Sequence, residues 1–278
     1  MQINTRPKMI SHFFHIFPTF FPHFMFILHM EEERMGNQNI FQRVEKKYKL
    51  NEEQYRAFCE AVKDKLIEDE YGLHTIRNLY FDTEHYDLIR QSIEKQRYKE
   101  KFRVRGYGQV TEDSMVFLEI KKKYKGIVYK RRISLPWRDA RDYIEKGIVP
   151  VVEDKQKQIL REIDYFLDFY KPQPKVYLTY DRTAYVGKDD PELRLTIDRN
   201  IRSRYENLHL QCDEDCDVLN PDIYLMEIKV PQAYPMWLAE VLSKLEIYPA
   251  SFSKYGSVYS NSVKTGELHP WLEEIDEE

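Results

Sequence analysis

The stretch KEKFRVRGYG, residues 99–108, places basic side chains at alternate positions along the chain. Lys101, Arg103 and Arg105 have the same parity and are separated by apolar residues. The sequence does not fix whether a strand here begins before or after Lys99, which has the same parity. Because successive side chains of a β-strand point to opposite faces, the pattern predicts a strand with one cationic face and one apolar face.

Five further stretches separate charged from apolar side chains in the same way. Their charged faces hold Glu45 with Lys47, Glu119 with Lys121, Lys130 with Arg132, Arg194 with Asp198, and Glu227 with Lys229. The solvated outer face of an antiparallel sheet would explain any one of these stretches. Basic residues dominate the set, however, and like charges a few ångströms apart repel by about 1 kcal/mol per pair even in water. The set as a whole therefore indicates a binding face for a polyanion.

A phosphate chain suits such a face. If the sheet closes into a barrel, the charged side chains line its interior. Guanidinium groups bind phosphate oxygens through paired hydrogen bonds, and ammonium groups act as point charges. Carboxylates on the same face can share a divalent cation, commonly Mg²⁺ or Mn²⁺, with the phosphate oxygens.

The composition limits the class of protein. A chain of 278 residues with 42% hydrophobic content can bury one large core or two modest ones. The formal net charge of −4 argues against a general nucleic-acid-binding protein, so we expect no nucleic-acid partner. Cys59, Cys212 and Cys216 have the spacing of neither a zinc site nor a disulfide framework, which favours a reducing cytoplasm.

The first 35 residues differ from the rest of the chain. The aromatic run at residues 9–30 is interrupted by two prolines and four histidines, which argues against a membrane-spanning helix. We expect residues 1–35 to be an extension outside the fold, with a membrane anchor as the alternative. One domain is predicted from residue 36 to residue 266, followed by an acidic tail at 267–278.

Helices are predicted where apolar residues recur at helical spacing. The stretch NEEQYRAFCEAVKDKL, residues 51–66, begins with Asn51, a favoured N-cap residue, followed by two glutamates in the first turn. Two more helices are predicted between Trp137 and Tyr170, and another at residues 234–245. Strands account for most of the remaining chain, so the sequence predicts an α+β fold.

Nine short motifs follow one another between residues 40 and 262. They are VEKKY, LYFDT, FRVRGYG, FLEIKKK, YKRRISL, YDRTAY, LRLTID, MEIKV and SFSKYGSVY. In this order they resemble the VTC (vacuolar transporter chaperone) domain, the polyphosphate polymerase branch of the CYTH-like triphosphate tunnel metalloenzymes. The resemblance implies a closed antiparallel β-barrel tunnel of about eight strands, with helices packed outside. It also implies transfer of the γ-phosphate of ATP to inorganic polyphosphate, with Mn²⁺ or Mg²⁺ as cofactor.

The resemblance also assigns site residues, motif by motif. The residues that it implies for catalysis are Arg103, Arg105, Lys121, Arg182 and Glu227. Those that it implies for phosphate binding are Lys47, Lys130, Arg132, Arg194, Lys229 and Lys254. Glu227 is expected to hold the metal, with Glu119 as a second ligand. The alternative for Glu227 is an ion pair with Lys229.

One motif departs from the hydrolytic relatives in this superfamily. CYTH-type triphosphatases begin with a Glu-x-Glu-x-Lys strand that supplies metal ligands and helps to activate water. The corresponding triplet here is Arg43, Glu45 and Lys47. The exchange of one carboxylate for an arginine favours transfer to a phosphate acceptor over attack by water.

Other functions remain open from the sequence. A tripolyphosphatase or nucleoside triphosphatase of the same fold is one alternative, and a non-catalytic sensor of polyphosphate or nucleotides is another. RNA binding is disfavoured because the domain lacks an overall basic charge. Eukaryotic relatives carry this domain beside an inositol-phosphate-sensing domain and membrane helices, which are not recognisable here. We therefore expect a protein that acts alone in the cytoplasm, or at a membrane with a separately encoded membrane protein.

Overall fold

A computed structural model describes residues 44–125, 127–211, 216–219 and 221–268. Several features named above lie outside these ranges: the extension at residues 1–35, Arg43, Cys212, and the tail from residue 269 onward. The division of the chain into an extension, a domain and a tail therefore stays a prediction.

The described residues form ten strands and six helices. The strands are β1 (Val44–Leu50), β2 (Leu66–Glu68), β3 (His74–Asp82), β4 (Tyr98–Tyr107), β5 (Met115–Tyr124), β6 (Ile127–Pro136), β7 (Gln173–Gly187), β8 (Arg194–Arg204), β9 (Asp217–Val218) and β10 (Tyr224–Val230). The helices are α1 (Glu52–Val62), α2 (Asp87–Ile93), α3 (Trp137–Lys146), α4 (Asp154–Tyr170), α5 (Met236–Lys244) and α6 (Lys254–Thr265). None of these helices has the length and apolar character needed to cross a bilayer.

Eight strands form one continuous antiparallel sheet in the order β1-β10-β8-β7-β3-β4-β5-β6, with β2 beside β7 and β9 beside β8. Lys121 on β5 interacts electrostatically with Lys47 on β1, although five strands lie between β1 and β5 in this order, so the sheet curls. The predicted antiparallel sheet of eight strands is confirmed. Among the described strands no hydrogen-bonded ladder joins β6 to β1, and closure into a barrel stays a prediction.

The first apolar core covers the convex face of β4 and β5. Phe102 and Val104 are fully buried in a cluster with Trp137 of α3 and Ile163 and Phe166 of α4. The rings of Phe102 and Phe166 lie 5.5 Å apart. Because these apolar residues alternate with the arginines of β4, burying them turns the arginines to the concave face.

A second apolar core joins α1 and α5 to the convex face of β1, β8 and β10, with Phe58 and Leu238 fully buried in it. Helix α1 starts as the sequence predicts, because Asn51 Oδ1 accepts a hydrogen bond from the Gln54 amide at 2.8 Å. The helix ends before the predicted residue 66, since Leu66 begins β2 and pairs with β7.

Helix α6 packs against the concave face, so the expectation that the helices pack outside the sheet is wrong for this helix. Ile76 and Leu178 point inward from β3 and β7, and they form a buried cluster with Tyr255 and Val258 of α6. The rings of Tyr80 and Tyr255 stack with centroids 4.7 Å apart. The concave face is therefore divided into an apolar part covered by α6 and a charged part.

Asp82 ties α6 to the sheet. Its carboxylate accepts hydrogen bonds from the amides of Leu88 and Ile89 at 2.8 and 3.0 Å, and from Tyr255 Oη at 2.9 Å. Burial raises the pKa of Asp82 to about 6, and these donors limit the rise. One buried acid thus fixes the start of α2 and the position of α6 together.

Candidate functional site

The charged part of the concave face is built from rows of side chains on neighbouring strands. Arg103 on β4, Glu119 on β5 and Arg132 on β6 are register partners. The next row along the strands consists of Lys101, Lys121 and Lys130. Residues two apart on a strand share a face, so both rows lie on the same side of the sheet.

Glu119 is a buried carboxylate that holds basic side chains from two neighbouring strands. Its Oε2 accepts hydrogen bonds from Arg103 Nε at 2.8 Å and Nη2 at 2.6 Å, and its Oε1 lies 2.7 Å from Lys130 Nζ. Arg105 Nε lies 3.9 Å from the same Oε2. Burial alone would raise the pKa of Glu119, but these cations lower it to about 2. Both carboxylate oxygens are ion-paired, which suits an anchor for arginines better than the predicted metal ligand.

Two tyrosines and an asparagine position the arginines of β4. Arg103 Nη1 donates to Tyr80 Oη at 2.8 Å, while Arg105 donates to Asn78 Oδ1 at 2.9 Å and to Tyr180 Oη at 3.3 Å. Burial would raise the pKa of both tyrosines, but the nearby cations, chiefly Arg103 for Tyr80 and Arg105 for Tyr180, lower it below the ordinary value. The phenol oxygens therefore help to hold the guanidinium groups in place.

Asp198 joins β7 to α6 through two basic residues. Its carboxylate accepts a bidentate pair of hydrogen bonds from Arg182, at 2.6 and 2.8 Å, and a third from Lys254 Nζ at 2.5 Å. The Lys254 ammonium also lies 4.5 Å from the centre of the Tyr180 ring. Burial opposes the charge of Asp198, but Lys254 and Arg182 lower its pKa to about 2.

Two lysines and two glutamates alternate across β1 and β10. Lys229 Nζ lies 2.6 Å from Glu227 and 3.9 Å from Glu45, and Lys47 Nζ lies 3.8 Å from each glutamate. Burial would raise the pKa of Glu227, but Lys229 and Lys47, with Arg182 beyond them, lower it. The ion pair expected as the alternative role of Glu227 is therefore formed.

Lys101 and Lys121 face the β1 residues across the curl of the sheet. Desolvation lowers the pKa of Lys101 to about 8, and the charges of Lys121 and Lys47 act in the same direction. Lys121 remains accessible to water, yet partial desolvation and the charge of Lys47 lower its pKa as well. The positive charge of these lysines therefore exceeds the negative charge that the nearby carboxylates supply.

Two of the predicted phosphate ligands lie at the margin of the face. Arg132 is exposed, and its guanidinium carbon lies 4.7 Å from the centre of the Phe117 ring. Arg194 is exposed at the first residue of β8 and is the register partner of Lys229. The other predicted site residues come together in the charged part of the face.

Glu45 and Glu227 provide the donors that best suit a divalent cation. Magnesium is commonly held by one or two carboxylates together with substrate phosphates, and these two carboxylates share the same pair of lysines. Their oxygen chemistry therefore fits Mg²⁺ or Mn²⁺ when phosphate oxygens are also present. Within the described ranges, no three His, Cys, Asp or Glu side chains are grouped to hold a metal ion.

Four residues of this face were not among the predicted site residues: Asn78, Tyr80, Tyr180 and Lys101, the last of which was placed only on the predicted cationic face. The signal for Lys101 was present, since it has the same parity as Arg103. Tyr180 likewise lies two residues before Arg182. Asn78 and Tyr80 gave no such signal, because they contact the arginines only through the pairing of β3 with β4.

Comparison with known proteins gives one family match. The model of the VTC domain family matches residues 42–262. Subunit 2 of the vacuolar transporter chaperone complex of Saccharomyces cerevisiae is 22% identical over 271 residues, which cover 72% of this chain and 33% of that protein. The chain thus spans about a third of the length of this relative.

Two solved structures illustrate the structural similarity. A candidate adenylate cyclase from Bacillus halodurans has a TM-score of 0.47 and 15% identity, covering 76% of this chain and 93% of that one. A candidate adenylyl cyclase from Hippeastrum, described with a dominant triphosphatase activity, has a TM-score of 0.46 and 15% identity. The alignment covers 82% of this chain and 98% of the Hippeastrum chain.

Proposed function

The chain belongs to the VTC domain family, and on this premise we propose that it is a polyphosphate polymerase. It would transfer the γ-phosphate of ATP to the end of an inorganic polyphosphate chain and release ADP. The observation that carries the proposal is the convergence of basic side chains from β1, β4, β5, β7, β10 and α6 on one concave face.

The electrostatics of this face favour a polyanionic ligand. Lys101 and Lys121 have lowered pKa values, partly because neighbouring lysines repel their charges. Phosphate groups placed among these lysines would remove that repulsion and make charge-assisted hydrogen bonds. Binding energy would therefore come from relief of strain already present in the free protein as well as from new contacts.

Two sets of basic residues suit the two reactants. Arg103, Arg105, Arg182 and Lys254 are held in fixed positions by Glu119, Asn78 and Asp198, so we assign them to the triphosphate of ATP. Lys47, Lys121, Lys130 and Lys229 are more accessible to water and would hold the terminal phosphate of the growing chain.

Catalysis in this proposal comes from positioning and charge neutralisation. Phosphoryl transfer is accelerated chiefly by aligning the attacking and leaving oxygens and by stabilising charge on the transferred group, so no protein nucleophile is required. The planar arginine side chains can hold phosphate oxygens through paired hydrogen bonds. The fixed network around them limits the reorganisation needed when charge develops.

Glu227 and Glu45 would hold a divalent cation. Bound Mg²⁺ or Mn²⁺ would draw negative charge from the phosphates. Lys47 and Lys229, which bridge the two carboxylates in the free protein, would then be released toward phosphate oxygens. The two carboxylates would thus pair with the lysines in the free protein and with the metal when phosphates are bound.

The full chain incubated with ATP and Mn²⁺, with products resolved on a gel stained for polyphosphate, tests this proposal. We expect long chains and ADP from the wild type, and loss of both from Arg103→Ala. Arg138→Ala is the matched control, because this arginine is exposed on α3 and pairs with Asp113 at 2.7 Å. Release of orthophosphate without chain growth would indicate a triphosphatase. Tripolyphosphate binding without turnover would indicate a sensor, and either result overturns the polymerase.

We also propose that the chain works with a separately encoded membrane protein from the cytoplasmic side. This rests on the matched yeast relative, which is a subunit of a vacuolar transporter chaperone complex. Affinity purification of the tagged chain from its own cells, with and without detergent, tests it. Recovery of a membrane protein in stoichiometric amount is the expected result, and recovery of the chain alone in both conditions contradicts it.

A further inference from the structure

Three aromatic side chains form a row at one end of the charged part of the concave face, and we call this end its mouth. His74 begins β3, Tyr107 ends β4, and Phe117 lies near the start of β5. The ring centres of His74 and Tyr107 are 6.0 Å apart, and those of Tyr107 and Phe117 are 5.7 Å apart. We call His74, Tyr107 and Phe117 the aromatic wall.

The aromatic wall adjoins the arginines that we assign to the triphosphate. Tyr107 follows Arg105 by two residues on β4, so the two side chains lie on the same face. Phe117 is the register partner of Arg105, and His74 is the register partner of Arg182. A ligand held by these arginines therefore has aromatic rings directly beside it at this mouth.

The Tyr107 ring of the wall remains accessible to a planar ligand. Tyr107 is 41% exposed, so part of its ring is open to solvent at the end of β4. It meets Phe117 edge-on, at 87°, so the two ring faces do not cover each other. Arg132 places a guanidinium group over Phe117 and adds a second planar surface.

Packing between strands explains only part of this arrangement. Cross-strand aromatic contacts stabilise sheets and would account for the contact of Phe117 with Tyr107. They do not account for an exposed tyrosine placed between the arginines and solvent. Nucleobases stack on aromatic rings and on arginine planes with little dependence on base identity.

We propose that the aromatic wall binds the nucleobase of a nucleoside triphosphate whose phosphates occupy the charged face. The proposal rests on the proposed function, which identifies the phosphate ligand. It fixes a direction for the nucleotide: the base lies at the mouth where β3 begins, and the γ-phosphate points away from the wall. Because stacking is tolerant, ATP and GTP should bind with similar affinity.

Calorimetric titrations with ATP and with inorganic tripolyphosphate, in the absence of divalent metal, separate the wall from the phosphate site. We expect Tyr107→Ala to weaken ATP binding about tenfold while tripolyphosphate affinity changes less than about twofold. Tyr107→Phe should keep the wild-type affinity for ATP. Tyr248→Ala is the matched control, because this tyrosine is 68% exposed and lies in the loop before α6.

Equal weakening of both ligands, or of neither, overturns the nucleobase site. In those two cases the wild type still binds ATP, so the proposed polymerase stands without the nucleobase site. If the wild type binds tripolyphosphate but not ATP, the nucleobase site and the ATP-dependent polymerase both fail. If it binds neither, the proposed function fails. Saturation-transfer NMR of ATP bound to the wild-type protein is a second test of the nucleobase site, and it needs no substituted protein. Strong transfer to the adenine protons supports the wall, and transfer confined to the ribose protons contradicts it.

Discussion

Asp198 places two of the basic side chains that define the charged face. It is 2% exposed and joins Arg182 of β7 to Lys254 of α6. Removal of one partner from a buried ion pair is strongly destabilising, because the remaining charges stay buried without compensation. We therefore expect Asp198→Asn to lower the free energy of unfolding by about 3 kcal/mol, measured by urea denaturation.

Acid titration of the same variant gives a second readout. The folded pKa of Asp198 is about 2, below its ordinary value of 3.8. A carboxyl group with a lowered folded pKa contributes stability above its unfolded pKa and loses it as the pH falls through the folded pKa. The stability of the wild type should therefore decline between about pH 4 and pH 2, and the stability of Asp198→Asn should decline less over the same range. Asp113→Asn, at an exposed site, is the control, and an equal effect there would contradict a buried ion pair.

Lys101 should give the proposed phosphate site a pH dependence just above neutrality. Desolvation and neighbouring lysines lower its pKa to about 8, so it loses its proton as the pH rises through that value. Only the protonated form can neutralise phosphate. We expect tripolyphosphate affinity to fall several-fold between about pH 7 and pH 9 by calorimetry. Lys101→Arg keeps the charge and should reduce this fall, whereas a variant that follows the wild-type curve would assign the titration to another group.

At the scale of elements, helix α6 links the apolar and charged parts of the concave face. Tyr255 donates a hydrogen bond to the buried Asp82, and the adjacent Lys254 pairs with Asp198. Loss of a donor to a buried charged group costs about 1–3 kcal/mol. We expect Tyr255→Phe to lower the free energy of unfolding by this amount and to weaken tripolyphosphate binding through Lys254.

Tyr248→Phe is the control for this helix, because Tyr248 is exposed just before α6. It should change neither the free energy of unfolding nor tripolyphosphate binding. If Tyr255→Phe is less stable but binds tripolyphosphate as tightly as the wild type, α6 supports the fold without positioning Lys254 for the ligand.

The position of α6 also marks the limit of prediction from sequence at this scale. Alternating side chains predict the strands and their charged faces, because the period of two is a local property. That α6 lies inside the curl depends on the inward apolar residues Ile76 and Leu178, whose direction follows from strand pairing and not from the helix itself. The contact of Lys254 with Asp198 was therefore not predictable from either motif.

At the scale of the whole molecule, a polyphosphate ligand should stabilise the fold. A ligand that binds only the folded state at a hundredfold excess over its Kd adds about 2.7 kcal/mol. For a domain of this size we expect a rise in the melting temperature of about 5–10 °C, measured by scanning calorimetry. Sulfate at the same ionic strength should give a much smaller rise, and an equal rise would indicate general screening of charge.

As with the elements, only part of the arrangement of the whole molecule could be predicted from the sequence. The sequence predicts an eight-stranded antiparallel sheet with one cationic face, and both features are present. Glu119 and Glu227 looked alike from their motifs, but the structure separates them. Glu119 is buried beneath Arg103 and Lys130, whereas Glu227 is only half-buried beside Glu45. Both glutamates lie on the second strand from an edge of the sheet, so strand position does not separate them. The difference comes from the side chains that cover Glu119, and short motifs carry no information about those neighbours.

The pairing of β1 with β10 has a consequence for biosynthesis. Tyr48 of β1 is the register partner of Met226 of β10, and its hydroxyl group also donates a hydrogen bond to Tyr234, which follows β10 and lies 186 residues away along the chain. During translation β1 emerges long before its partner, and contacts between distant parts of a chain form slowly. Glu45 and Lys47 can meet Glu227 and Lys229 only after β10 has left the ribosome. A nascent chain could therefore not form the proposed metal site until then, and the proposed activity would wait until the sheet is assembled.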